Sequence, residues 1–401
     1  DAWVFRYLKA HGEDCGIIYC STRKNVDELY DRLRLEGISA ARYHAGLSQE
    51  ERQQAQEDFQ YDRVQVIVAT NAFGMGIDKS NVRYVLHYNM PSCLENYYQE
   101  AGRAGRDGEP SECILLFSPQ DVVIQKFLLE HKEQSAALEE VEEANLRKLY
   151  AMEHYCRTTS CLRQTLLHYF GEEAPARCNH CSTCNGDYEE VDMTEETKSI
   201  VKCIHEARRP YGITLMANVL AGSRSTRVEE TGLSRLRMFG ALHNHSLKEI
   251  KEMIQNLLDQ GYLLITRDKY PVLKISKKIW ELQDDSIRVL LRKEAGAADG
   301  GKSSRKKKKI LPDLDLPAGF SQEMGAELFS RLRSLRKQLA EQAMVPPFVV
   351  FGDRTLREMC RHLPRNHEQF LQVPGVGQHK DEKYGAAFLD AINGFCEEKG
   401  L

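Results

Sequence analysis

Long apolar runs are missing from this sequence. No stretch approaches the roughly 20 consecutive apolar residues that cross a bilayer, so a helical membrane span is not expected. The first residues lack the basic-then-apolar pattern of a secretory signal. A strong excess of one charge is missing too. Lys and Arg number 55 against 59 Asp and Glu, a formal net charge of −4, which by itself does not suggest a nucleic-acid binder. A local basic surface stays open, because binding depends on where charge sits. There is no initiator Met. Asp1-Ala-Trp-Val-Phe-Arg-Tyr-Leu8 reads as the middle of a helix, and a fragment is expected. Cysteine is plentiful, with 12 residues, and clustered cysteines in a chain without a signal suggest metal before disulfides. The length of 401 residues, 42% hydrophobic and 28% charged, allows two to four globular domains.

Residues 1–125 alternate short apolar runs with helical patterns. Strands are expected at Gly16–Cys20, Ile38–Tyr43, Val64–Ala69, Val82–His87 and Cys113–Phe117. Val26–Leu33 has helical spacing, and Ser48-Gln-Glu-Glu51 is a capping box opening a helix to Phe59. Such alternation implies a mainly parallel sheet covered on both faces, with ligands at the carboxyl ends of its strands. The polar motifs fall there: Ser21-Thr-Arg-Lys24, Tyr43-His-Ala-Gly-Leu-Ser48 and Thr70-Asn-Ala-Phe-Gly-Met-Gly-Ile-Asp78 each follow a strand. Gln99-Glu-Ala-Gly-Arg-Ala-Gly-Arg-Asp-Gly108 precedes the last one. Its two arginines are rigid forks of donors suited to phosphate, on a backbone that glycine lets approach closely. A basic Gly-rich turn is the plain alternative.

These motifs together resemble the second RecA-like lobe of superfamily-two helicases, and the Thr70–Asp78 and Gln99–Gly108 stretches are similar to the RecQ DNA helicases in particular. The resemblance implies Arg106 as an arginine finger toward ATP, with Arg103 beside it and Gln99 in the same catalytic segment. It implies that Gly76 and Asp78 couple nucleotide to lobe closure, and that Ser21, Arg23, His44 and Thr70 line the strand-binding face. A positioned guanidinium suits phosphoryl transfer, which needs charge stabilisation. ATP and Mg²⁺ require a further lobe with a P-loop. Gly296-Ala-Ala-Asp-Gly-Gly-Lys-Ser303 matches that pattern, but no strand precedes it and a lysine run follows in place of an amphipathic helix. It is rejected, and the chain alone is expected not to hydrolyse ATP.

Residues 126–190 are read as a helical metal-binding domain. Cys161, Cys178, Cys181 and Cys184, spaced C-x16-C-x2-C-x2-C with Cys161 on a helix, fit a closed tetrahedral Zn²⁺ site. An Fe–S cluster is a lesser alternative, and the four-cysteine pattern again resembles RecQ proteins. Residues 191–285, helices followed by a hairpin, resemble the RecQ winged helix. Arg235 and Lys248, with Arg224, Arg227 and Arg237, are candidates for duplex phosphate contacts, and Tyr270 at the hairpin tip for stacking on a terminal base pair. Each is equally readable as a solvated surface residue. Residues 286–320 read as a flexible basic linker, and 321–401 resemble the all-α HRDC module. Within that module Lys380, Lys383 and the Gly375–Gly377 turn are candidates for single-strand contact.

The fold expected is therefore multidomain: an α/β RecA-like lobe, a helical zinc domain, a winged helix and a helical HRDC-like domain. The resemblance implies a 3′→5′ ATP-dependent DNA helicase acting in repair and recombination. Its expected partners are single-stranded and forked or duplex DNA, with a single-strand DNA-binding protein as a further candidate and no membrane. A cytoplasmic, nucleoid-associated setting is expected in a bacterium and a nuclear one in a eukaryote. A non-catalytic DNA-binding module and an RNA helicase lobe are the competing readings.

Overall fold

The computed structural model describes residues 2–12, 14–74, 79–130, 139–186, 188–266, 271–283, 288–294, 316–317 and 320–400. The chain divides into two compact units, one of residues 1–91, 95–121 and 306–401, the other of 92–94 and 122–305.

The first unit begins with the α/β lobe. Helix α1 (Ala2–Ala10) leads to strand β1 (Cys15–Tyr19), then α2 (Arg23–Leu35), β2 (Ala40–Tyr43), α3 (Gln49–Gln60), β3 (Val66–Ala69), β4 (Val82–His87), α4 (Leu94–Ala101) and β5 (Glu112–Leu115). The five strands are all parallel, in the order β2-β3-β1-β4-β5. Every residue of β1, β3 and β4 is buried, as a sheet covered on both faces requires. Alternation along β1 sends Ile18 into a core with Val4, Leu8, Leu29 and Leu33, and Ile17 and Tyr19 into another with Ala55 and Phe59. Local chemistry starts the helices. The Thr22 hydroxyl accepts the Asn25 N–H at 3.1 Å, and Ser48 and Glu51 form the expected capping box. Gly16 is needed because a Cβ there would collide with the Tyr84 ring.

The same unit holds the C-terminal helices. Gln322–Gln342 is followed by Pro347–Val350, Asp353–His362, His367–Leu371 and Ala386–Lys399. Their core gathers Leu328, Leu332, Phe351, Phe370, Phe388 and Ile392. Arg336 is buried at its centre, donating to Asp353 Oδ1 at 2.7 Å and to the Phe351 carbonyl at 2.8 Å. This helical part rests on the lobe through polar contacts. Lys337 Nζ donates to the Asp62 carbonyl at 2.9 Å, and Arg357 pairs with Glu109 at 3.4 Å.

The second unit carries helices Glu139–Arg157 and Leu162–Tyr169, the cysteine cluster, and then a winged-helix arrangement. Helices Thr194–Glu206, Ile213–Leu220 and Leu247–Asp259 pack around Ile200, Met216, Leu220, Ile254 and Leu257. Strands β7 (Leu263–Ile265) and β8 (Leu273–Ile275) pair antiparallel as the expected hairpin. Two expectations are corrected here. Residues 290–294 do not belong to a linker: β9 (Leu290–Glu294) pairs antiparallel with β6 (Tyr188–Asp192), and Val289 and Leu291 enter the winged-helix core. A strand therefore does precede Gly296, and the case against Gly296–Ser303 as a P-loop rests on the lysine run that follows it. Five residues without helical or long alternating pattern are easily read as linker; the partner strand, about a hundred positions upstream, supplies the missing half. Cys161 is also not within a helix. It is the N-cap residue, immediately before Leu162–Tyr169. Among the described residues no helix is long and apolar enough to cross a membrane.

Candidate nucleotide-arginine segment and metal centre

The arginine segment leaves the end of α4 and returns to β5 through glycine-dependent turns. Gly105 (φ +65°) and Gly108 (φ +81°) adopt the left-handed conformation, and a Cβ on Gly105 would meet Ser111. The Gly105 N–H donates to the Val82 carbonyl at 2.9 Å, tying the loop to β4. Next to it, Arg83 reaches back from β4. Its Nη2 donates to both oxygens of Asp107 at 2.6 Å, and its Nη1 donates to the Pro110 carbonyl at 3.3 Å. Both side chains are buried, at 2% and 8% exposure, so this pair is shielded from solvent. Between these ties Arg106 is exposed to solvent. Gln99 is exposed on α4.

Arg103 faces the other way. Its guanidinium lies beside the Tyr19 phenol and against Gly74, where a Cβ would collide with it. Tyr19 donates in turn to the Phe73 carbonyl at 2.9 Å. Beside it His87, paired in register with Tyr19, stacks on that ring at 5.5 Å. The imidazole Nε2 meets Glu100 Oε2 at 2.8 Å, with both side chains buried. Burial pushes the Tyr19 phenol up, so it remains a hydroxyl donor at neutral pH.

The other predicted positions on this edge divide in the same way. Arg23 is exposed in the first turn of α2. Ser21 is half-buried, and its N–H donates to Asn89 Oδ1 at 3.2 Å. Thr70 is buried, with its N–H on the Tyr43 carbonyl at 3.1 Å. His44 is also buried: Nδ1 accepts the Gly46 N–H at 3.1 Å, and Nε2 meets Asp27 Oδ1 at 3.1 Å. Both nitrogens therefore hold the loop after β2 in shape. Gly76, Asp78 and Tyr270 lie outside the described residues. In the second unit Lys248 and Arg235 are exposed, Lys248 within 3.8 Å of Glu252. Sequence reading missed Tyr19, Arg83, His87, Glu100 and Asp107. The available signal was a polar residue inside an apolar strand, as Arg83 and His87 are.

The metal centre comes together as the spacing predicted. Sγ atoms of Cys161, Cys178, Cys181 and Cys184 all lie within 4.8 Å of one another. Cys181–Cys161 is 3.9 Å and Cys178–Cys184 is 4.0 Å. Four sulfurs at the usual Zn–S bond length stand about 3.8 Å apart in a tetrahedron, so the donor set fits Zn²⁺ with little movement. The backbone N–H groups of His180 and Cys181 point at Cys178 Sγ, at 3.4 and 3.3 Å. Burial works against the Cys181 thiolate, but the Thr183 hydroxyl and nearby N–H groups hold its thiol down at about 6. His180 is exposed, and its side chain is not among the cluster's ligand atoms.

A parallel sheet with its polar loops at one edge defines a RecA-like lobe, which is followed by a four-thiolate knuckle and a hairpin-bearing helical domain. Family comparison divides the chain in that way: the helicase conserved C-terminal domain matches residues 2–108, the RecQ zinc-binding domain 119–185, the RQC domain 187–299 and the HRDC domain 325–392. The chain is 41% identical over 396 residues to the ATP-dependent DNA helicase RecQ of Bacillus subtilis, covering 99% of this chain and 63% of that protein. It is 35% identical to the ATP-dependent DNA helicase RecQ of Haemophilus influenzae, covering 96% of this chain and 60% of that one. A solved HRDC domain of D. radiodurans RecQ is 38% identical over 18% of this chain and 92% of that one, with a TM-score of 0.17. The chain belongs to the RecQ family. It spans about three fifths of the length of these curated relatives.

Proposed function

We propose that this chain works within a RecQ-type, ATP-dependent DNA helicase that moves 3′→5′ in repair and recombination. The observation that carries this reading is the exposed Arg106, held on a loop tied to β4 by the Gly105 N–H and by the Arg83–Asp107 pair. An arginine whose backbone is fixed in this way has only its side chain left to order when it meets a triphosphate, and it stabilises charge on the transferring group. ATP and Mg²⁺ would be held by a P-loop lobe outside this sequence, with Gly76, Asp78, Gln99 and Arg103 serving the closed state. Arg23 with the loops after β1, β2 and β3 would form part of the strand track, and Arg235, Lys248 and Tyr270 the duplex grip. Zn²⁺ on the four cysteines fixes the small helical domain, which has little core of its own. Single-stranded and forked or duplex DNA are the ligands, a single-strand DNA-binding protein is a candidate partner, and the nucleoid or nucleus is the setting.

The test joins this chain to a P-loop lobe and compares Arg106→Ala with the parent. DNA-stimulated ATP hydrolysis is expected to fall about a thousandfold or more, the range for loss of an arginine finger, with forked-DNA affinity within twofold. Normal turnover would overturn the assignment. Preference for RNA over forked DNA would overturn the substrate class.

A further inference from the structure

The arginine segment is not isolated from the loop that follows β3. The Tyr19 hydroxyl is the point where the two meet. It donates to the Phe73 carbonyl at 2.9 Å, within the Thr70–Asp78 motif, and its oxygen lies beside the Arg103 guanidinium. With its one proton given to Phe73, the phenolic oxygen keeps its lone pairs for that cation. The contact is close on the Arg103 side as well, because the guanidinium lies where a side chain on Gly74 would be. Arg103 therefore reads the position of residues 73 and 74 through two contacts, one polar and one steric.

The junction has a rigid base. Tyr19 ends β1 and His87 ends β4, paired across the sheet, with their rings stacked at 5.5 Å and 21°. His87 is held on its other side by Tyr97, at 5.0 Å between centroids, and by Glu100 at 2.8 Å. Both lie on α4, Glu100 three residues and Tyr97 six residues before Arg103. The ring of Tyr19 thus leans on the element that carries Arg103, while its hydroxyl reaches the loop after β3. Tyr19 is 3% exposed, which leaves the hydroxyl little competition from water.

We propose that Tyr19 is a positioning residue, whose hydroxyl couples the loop after β3 to the arginine segment so that the two move as one body. This rests on the assignment of Arg106 to ATP hydrolysis. A displacement of the loop after β3 is transmitted to Arg103, and through the short Ala104–Gly105 link to Arg106. Without the hydroxyl the ring still packs, the sheet still forms, and the two segments lose their shared anchor.

The experiment uses Tyr19→Phe, which keeps the ring on His87 and removes only the hydroxyl, in the two-lobed protein carrying this chain. Arg106→Ala runs in parallel. Expected for Tyr19→Phe is a fall of about tenfold in the kcat of DNA-stimulated ATP hydrolysis, the size of one buried hydrogen bond. KM for ATP and DNA affinity are expected within twofold of the parent and Tm within a few degrees. His87→Gln, which disturbs the stack, is expected to lower Tm as well as kcat. An unchanged kcat in Tyr19→Phe, with Arg106→Ala inactive, overturns the coupling while leaving the arginine assignment intact. A parallel fall in Tm and kcat with a rise in KM also overturns it, because that is the pattern of a merely structural residue. Normal turnover in Arg106→Ala overturns the arginine assignment itself, whatever Tyr19→Phe does.

Discussion

Replacing Arg83 by methionine tests how firmly the arginine loop is held. The guanidinium is buried and has five acceptors: both oxygens of Asp107 at 2.6 Å, the Pro110 and Asn81 carbonyls at 3.3 Å and the Ser80 carbonyl at 3.4 Å. Methionine fills most of the volume and supplies none of the donors. Asp107, 8% exposed, is then left as a buried carboxylate whose remaining contact in the loop is the Glu109 N–H at 3.1 Å. Removing one partner of a buried ion pair costs about 3–5 kcal/mol. For a lobe of this size each kcal/mol lowers Tm by about 4 °C, so the lobe transition is expected to fall roughly 12–20 °C. Calorimetry of the parent and variant chains reads this directly. The double variant Arg83→Met/Asp107→Leu removes the stranded charge and is expected to recover more than half of the loss, because a buried pair is worth little against apolar replacement. A single variant within about 1 kcal/mol of the parent, or a double variant as unstable as the single one, refutes the reasoning.

Metal analysis is expected to give one zinc per chain, and a folded zinc-free chain would rule out the knuckle. Uptake by the metal-free cluster releases thiol protons; burial pushes the Cys161 thiol up to about 11 while Cys181 is held at about 6, so uptake is expected to weaken as pH falls from 8 to 5, more steeply below about 6, measured by chelator competition. Asp353 behaves as a second titration marker. Burial alone would raise its pKa, but the Arg336 and Arg333 guanidiniums overcome this and hold it below the usual carboxylate range. Its contribution to stability is therefore present above the unfolded value near ~3.9 and lost as pH falls through the lower folded value; Asp353→Asn should flatten this acid limb in hydrogen exchange of Gln322–Gln342. DNA binding should weaken steeply with salt, and Arg235→Ala or Lys248→Ala should each reduce the slope of log K against log salt by about 0.9 if the residue meets a phosphate.

The division between chain and fold follows the range of the interactions. Short-range patterns carried far. The capping box at Ser48 forms as its sequence predicts, since its partner Glu51 lies three residues away. The four cysteines converge because C-x2-C-x2-C is a local geometry that leaves only Cys161 to be brought in. The buried strands were legible from apolar runs bounded by polar motifs, and those motifs flagged Arg106 as exposed on a glycine-turned loop.

What stayed hidden is what needs two distant segments. His44 carries the same polar signature as a ligand, yet both its nitrogens are used by Gly46 and Asp27. Nothing in the neighbourhood of Arg83 announces Asp107, which stands 24 positions on and meets it only when β4 lies beside the arginine loop. Leu290–Glu294 becomes a strand because Tyr188–Asp192 is there to pair with it. The C-terminal helices meet the lobe through Lys337 and Asp62, 275 positions apart. The amino-acid sequence by itself determined the elements, the metal ligands and the arginine segment, because periodicity, capping and ligand spacing act within a few residues. Only the tertiary structure decided which polar groups are left free to work and which hold the fold, because burial and partnership depend on what the rest of the chain brings alongside.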